Sequence, residues 1–131
     1  MKNKHAFLLL SHALTSEQEA ELCQGWQVQE ICPLPAELQA LWSNVPPEIE
    51  ELSAYLEPLF AWLAQKARPE DLAVIQGEFG AVYLAVQKAF ALGLVPVYAT
   101  TRRAVRETRL PNGAVRQERF FKHVRFRVYG R

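Results

Sequence analysis

The segment VIQGEFGAVYLAVQKAFALGLVPVYATTRR, from Val74 to Arg103, constrains the fold more than any other part of the chain. Ala73-Val74-Ile75 is a short apolar run suited to a buried strand. Gly77 and Gly80 bracket a tight turn. Ala81 to Leu92 is rich in helix formers, and Gly93 is a fitting residue just past a helix end. Leu94 to Ala99 is apolar again, and Thr100-Thr101-Arg102-Arg103 follows at once. Strand, helix and strand in this order form a βαβ unit, the building block of parallel sheets covered by helices. Ligands of such sheets bind beyond the carboxyl ends of the strands. Here those ends carry QGEFG and TTRR, both suited to an anionic group.

The flanking sequence extends this unit into a larger sheet. Phe7 to Leu10 reads as a first strand. Thr15-Ser-Glu-Gln18 is a capping box, so a helix runs from Thr15 to about Gln24 and stops at Gly25. Val28 to Cys32 alternates like a second strand, which Pro33 and Pro35 break. Ala36 to Trp42 is a short helix. Pro46-Pro47 opens a longer one, with Ile49, Leu52, Leu56, Leu59, Phe60 and Leu63 on one face. Pro58 sits inside that pattern and is expected to kink or split it. Arg68-Pro-Glu-Asp71 is a loop. Val105 to Leu110 and Val115 to Tyr129 alternate with period two around Pro111-Asn112-Gly113, a strong hairpin signal.

With right-handed crossovers, the four parallel strands take the order 2-1-3-4. The direction of winding then reverses between the first and third strands. The expected fold is therefore a Rossmann-like α/β sheet with a C-terminal antiparallel hairpin. Residues 1–131 form one domain, with a parallel core over 1–101 and an Arg-rich hairpin over 102–131.

Charge divides along the same boundary. Residues 1–101 hold five Lys/Arg against twelve Asp/Glu, and residues 102–131 hold ten against two. Nine of those ten are arginine, whose planar fork matches phosphate geometry. The basic tail either meets an external anion or docks on the protein's own acidic half. No segment reaches the roughly 20 apolar residues of a membrane helix. The opening MKNKHAFLLLSHAL superficially resembles a leader. Its apolar run ends at Ser11-His12, and a first strand is the better reading. Cys23 and Cys32 have no metal or redox spacing and read as reduced packing residues in a cytoplasmic protein.

Three groups of residues carry potential chemistry. Gln76, Gly77, Glu78, Phe79 and Gly80 precede a helix, where backbone N–H groups and the helix dipole favour an anion. Glu78 would repel a phosphate there, and a plain strand-to-helix turn is the alternative. Ser11 and His12 end the first strand at the reversal of winding, offering a hydroxyl and an imidazole for proton transfer. A His12 that merely caps the next turn is the alternative. Thr100, Thr101, Arg102 and Arg103 offer hydroxyls and guanidiniums suited to phosphodiesters. On a regular strand, His123, Arg125 and Arg127 share one face and form a basic stripe, either a ligand wall or a charged sheet edge. Trp26, Trp42, Trp62 and Tyr55 are expected in the packing of helices. No Asp/Glu/His cluster suggests a metal site, and no cofactor is expected.

FLLLSHALTSEQ, LPAELQALWSNVPPE, VIQGEFGAVYLAVQKAFALGLVPVYATTRR and FKHVRFRVY together resemble the small Csx-type accessory proteins of type III CRISPR systems. The similarity covers almost the whole chain. Members often carry Asp at the position of Glu78. The resemblance implies a relative of CARF domains, with a Rossmann-like fold, acting as a ring nuclease on cyclic oligoadenylate messengers. A homodimer and cyclic tetra-adenylate share two-fold symmetry, so one ring would lie across the dimer axis.

The chemistry implied is metal-independent attack of a ribose 2′-OH on its adjacent phosphorus. In that reading Arg102 or Arg103 stabilises charge and His12 moves a proton. Ser11, the Gln76–Gly80 backbone, Thr100, Thr101, His123 and Arg125 hold phosphates and riboses. Two other readings compete with it: a non-catalytic protein that sequesters or senses the ring, and an accessory module that binds RNA or DNA through the Arg-rich hairpin.

Overall fold

The computed structural model describes residues 3–131. Its strands and helices follow in the order β1 (His5–Leu9), α1 (Ser16–Gly25), β2 (Glu30–Pro33), α2 (Ala36–Ser43), α3 (Ser53–Lys66), β3 (Leu72–Ile75), α4 (Phe79–Ala91), β4 (Val95–Arg109) and β5 (Val115–Val128). One five-stranded sheet has the order β2-β1-β3-β4-β5. The first four strands are parallel, and β5 is antiparallel to β4. The sheet therefore has the expected order, extended by one strand, with its winding reversed between β1 and β3.

Helices cover both faces. Leu22 of α1 packs with Ala6, Leu72, Val74, Val97 and Phe126 on one side. On the other, α2, α3 and α4 enclose Phe7, Leu9, Ala73 and Ile75 with Trp42, Leu56, Leu59, Leu63, Ala81, Ala85 and Ala89. β3 is buried along its whole length, as its continuous apolar run requires of a central parallel strand. The alanines at 81, 85 and 89 recur every four residues and let α4 lie close to the sheet.

Several boundaries differ from the sequence reading, each for a local reason. The predicted helix from Pro46 starts only at Ser53, and Pro58 lies inside a single helix rather than splitting it. Glu48 to Glu51, which follow the two prolines, stay in an exposed loop. Ile49, predicted on the buried face, is 40% exposed. Cys23 is exposed on α1 rather than packed, while Cys32 is half-buried with its thiol pushed up by burial and by Glu30 and Asp71.

The largest difference concerns the last two strands. Thr100 to Arg103 do not leave the sheet as a loop; they continue β4 without a break to Arg109. Between Pro96 and Pro111 there is neither glycine nor proline to stop the strand, and β5 pairs along its whole course. Strands β4 and β5 therefore outrun the other three as a two-stranded ribbon, closed by Pro111-Asn112-Gly113. There Gly113 has φ +85°, and its N–H donates to the Leu110 carbonyl at 3.0 Å. Among the described residues, no helix is long and apolar enough to cross a membrane.

Candidate functional site at the carboxyl edge of the sheet

The carboxyl ends of β1 and β3 meet where the winding reverses. The Gln76 N–H donates to the Leu9 carbonyl at 3.1 Å, which ties the two ends together. The Gln76 side-chain oxygen accepts from the Ala99 N–H at 3.2 Å, which ties β3 to β4. Trp42 closes this floor from the α2 side by donating its indole N–H to the Gln76 carbonyl at 3.1 Å. Tyr129 closes it further with a hydroxyl bond to the Ile75 carbonyl. Gly77 is required here for space: a Cβ would meet the Trp42 indole at 3.0–3.1 Å.

Glu78 changes the reading of the QGEFG turn. It is the N-cap of α4, and its carboxylate accepts the Gly80 N–H. The partial positive charge of this helix end is thus met by a carboxylate from the chain itself. A phosphate at the same N–H groups would have to displace it. Phe79 projects beside it into solvent, 93% exposed.

Thr100, Thr101, Arg102 and Arg103 stand where β4 passes the end of β3, on the root of the ribbon. Thr100 Oγ1 bonds the Arg125 carbonyl at 2.8 Å across the antiparallel pair. Arg125 thus shares a face with Thr100 and Arg102, while Thr101 and Arg103 alternate to the α1 side; Arg102, Arg103 and Arg125 are all exposed. Of the predicted stripe of His123, Arg125 and Arg127, the two arginines share a face, opposite Thr100 and Tyr98, and His123 leaves it. Thr100 pairs with Arg125 and Thr101 with His123, so Val124 is an extra residue, a β-bulge. The bulge breaks strict alternation and turns His123 to the α1 side. On the face it shares with Arg125, Arg127 lies over Tyr98 at 5.7 Å and donates to its hydroxyl at 3.2 Å.

His123 is buried in a polar knot that residue spacing does not reveal. Its Nε2 lies 2.6 Å from Glu21 Oε1. The same carboxylate accepts the Trp26 indole N–H at 2.9 Å and the Phe126 backbone N–H at 2.9 and 3.0 Å. Burial alone would raise the Glu21 pKa. The Phe126, Trp26 and His123 donors outweigh it and hold the carboxyl below the usual range. His123 therefore anchors the ribbon rather than facing a ligand. The missed signals were the acid on α1 and the indole five residues on; their partner lies 102 positions along the chain.

Ser11 and His12 lie at the end of β1 but open onto a different cleft. Its volume is about 620 Å³, and Glu19, Ile31, Gln39 and Ser43 share its lining. His12 is exposed, with Nδ1 3.1 Å from the Ala13 carbonyl. β3 separates β1 from β4, so this cleft and the TTRR residues stand two strand spacings apart, roughly 10 Å. A larger hollow of about 920 Å³ lies at the opposite edge of the sheet, around His5, Glu30, Arg68 and Asp71. Asp71 there accepts the His5 and Arg68 N–H groups at 3.0 and 2.9 Å.

Fold and site together define an α/β protein with a basic β-ribbon rising from the carboxyl edge of its sheet. The chain belongs to the Uncharacterized protein MJ1673 family, which it matches over residues 4–127. It is 42% identical over 123 residues to Uncharacterized protein MJ1673 of Methanocaldococcus jannaschii, covering 94% of this chain and 95% of that protein. No solved structure matches the chain.

Proposed function

We propose that this protein is a ring nuclease of type III CRISPR signalling. As a homodimer in the cytoplasm it binds a cyclic oligoadenylate, cyclic tetra-adenylate in particular, and opens it. The observation that carries this reading is the root of the ribbon at the carboxyl edge, where Thr100, Arg102 and Arg125 share one face of an antiparallel pair and Thr101 and Arg103 flank them on the other. Guanidiniums and hydroxyls in this arrangement suit bridging phosphodiesters. The edge adjoins the reversal of winding, where ligands of open α/β sheets bind.

In the proposed reaction a ribose 2′-oxygen gives up its proton and bonds the adjacent phosphorus. The bond from phosphorus to the 5′-oxygen breaks, and that oxygen takes a proton. The product is a linear chain with a cyclic 2′,3′-phosphate at one end and a 5′-hydroxyl at the other. Arg102 and Arg103 stabilise the charge developing on the phosphoryl oxygens. Thr100, Thr101 and Arg125 hold the ring, with Gln76, Gly77 and Phe79 forming the neighbouring wall. Ser11 and His12 contact a ring broad enough to span from β4 to β1, where His12 moves a proton. Glu78 shapes the wall by capping α4, and His123 keeps the ribbon in place.

The test is product analysis with cyclic tri-, tetra- and hexa-adenylate in excess EDTA. Linear fragments ending in a 2′,3′-cyclic phosphate are expected, most rapidly from the tetramer. Arg102→Ala and Arg103→Ala should each lower turnover about 100- to 1000-fold, as removal of one charge-stabilising donor does elsewhere. A ring bound but recovered intact would make the protein a sink or sensor. Absence of binding to all three rings would overturn the reading altogether.

A further inference from the structure

The ribbon is built as if half of it were missing. From Arg102 to Arg109 and from Val115 to Lys122, the strands pair only with each other. A two-stranded hairpin alone in water is marginal, and this one leaves much apolar surface uncovered. Phe121 is 69% exposed, and Val105, Val115 and Phe120 are at least 40% exposed. The guanidiniums of Arg103 and Arg106 lie over the Phe121 and Phe120 rings at 5.9 and 5.5 Å. Arg102 to Arg125 carries eight basic residues against Glu107 and Glu118.

The rest of the chain carries the complement. Residues 1–101 have a net charge of −7. Glu48, Glu50 and Glu51 are exposed in the loop before α3. That loop reaches the start of α4, because a Cβ at Gly80 would meet Leu52 at 3.1 Å. Leu52 thus brings its chain neighbours Glu50 and Glu51 to the helix end that Glu78 caps, a corner where Phe79 and Tyr83 are exposed. Among the described residues no cation lies within ion-pair distance of Glu48, Glu50 or Glu51. This corner and the ribbon root share the carboxyl edge of the sheet, and the ribbon does not fold back onto its own body.

We infer that the ribbon is an exchange arm: in a two-fold dimer each ribbon seats on the acidic, aromatic corner of a second copy. Charge complementarity selects a second copy: the eight basic residues of the ribbon, against two acidic, meet a body of net charge −7. The apolar side chains on the ribbon match the apolar ones at the corner, as the core of a protein interface requires. Two carboxyl edges then face each other between crossed arms. Each arm carries its Arg102 and Arg103 toward the partner's Gln76–Phe79 turn, so one ligand site draws residues from both chains. This specifies the homodimer of the proposed function, and its test reads mass without any ligand, so it stands or falls separately from ring cleavage.

The experiment is light scattering on the full chain and two charge reversals, one on each side of the contact. Wild type should run at twice its 14.9-kDa chain mass. The arm variant Arg106→Glu/Lys122→Glu and the seat variant Glu50→Lys/Glu51→Lys should each run at the chain mass. Mixed in equal amounts, they should return to the dimer mass, because the reversed arm meets the reversed seat and the native arm meets the native seat. That recovery also establishes that both variants are folded. A monomeric wild type, variants that stay dimeric, or a mixture that stays monomeric would overturn the proposal. So would a monomeric wild type that binds a mixed-sequence oligonucleotide through Arg106 and Lys122, which would assign the arm to polynucleotide.

Discussion

Glu21 holds β5 to α1 through His123 and the Phe126 N–H and also accepts the Trp26 indole N–H, so its loss leaves more than one group unpaired. The Phe126 N–H would be left buried without an acceptor, and His123 would lose its partner. Glu21→Ala should therefore lower stability by about 2–3 kcal/mol in urea unfolding, as loss of a charged acceptor to buried donors does. The pH dependence has a definite sign. A carboxyl whose folded pKa is depressed contributes stability above its unfolded pKa and loses it as pH falls through the folded value. Wild type should thus lose stability on acidification below the ordinary glutamate range, and Glu21→Gln should lose less over the same window. A variant as acid-sensitive as wild type would remove Glu21 from this role. Gly77→Ala is a second test at this scale, because the Trp42 indole is buried and held by the Gln76 carbonyl. Overpacking there should cost about 1–3 kcal/mol and shift tryptophan fluorescence. Thr15 and Gln18 were legible from sequence, since a capping box is completed within four residues. Glu21 was not, because its partners arrive only when β5 docks on α1.

At the scale of elements, what could be read was whatever repeats with its own period. β3, the alanine-faced α4 and the Asn-Gly hairpin each carry a local pattern and formed as expected. The continuity of β4 could not be read, because Thr-Thr-Arg-Arg looks like a polar exit until β5 is present to pair with it. The bulge at Val124 was hidden for the same reason: alternation counts residues on one strand, and a bulge is a mismatch between two. Its effect is to bring His123, and not Val124, opposite Thr101 on the α1 side. Deleting Val124 should therefore keep His123 on Glu21, restore regular pairing and re-aim only the ribbon beyond it. Amide chemical shifts should change along the ribbon and stay fixed in β1 and β3. Changes spread through β1 and β3 would mean that the bulge also sets the register of the core.

For the whole molecule, the ribbon and the body make separable contributions. Phe126 is fully buried between α1 and the sheet, and Phe126→Ala should cost about 3–5 kcal/mol. Beyond His123, none of the side chains of the ribbon enters either apolar core. Replacing Arg102 to Lys122 by an Asn-Gly turn between Thr101 and His123 should therefore leave the body folded. Far-UV circular dichroism should retain its helical signal, with thermal unfolding shifted by no more than roughly 5 °C, the equivalent of about 1 kcal/mol. The removed residues, seven basic and two acidic, take the formal charge from +1 to −4. A body left this acidic repels its own copies, so the shortened chain should be monomeric at low salt. A dimer that survived the deletion would move the interface to the exposed aromatic face of α4, where Phe79, Tyr83 and Phe90 stand uncovered. Unfolding on deletion would instead show the ribbon to be a structural part of the sheet, and the body and ribbon would no longer be separable.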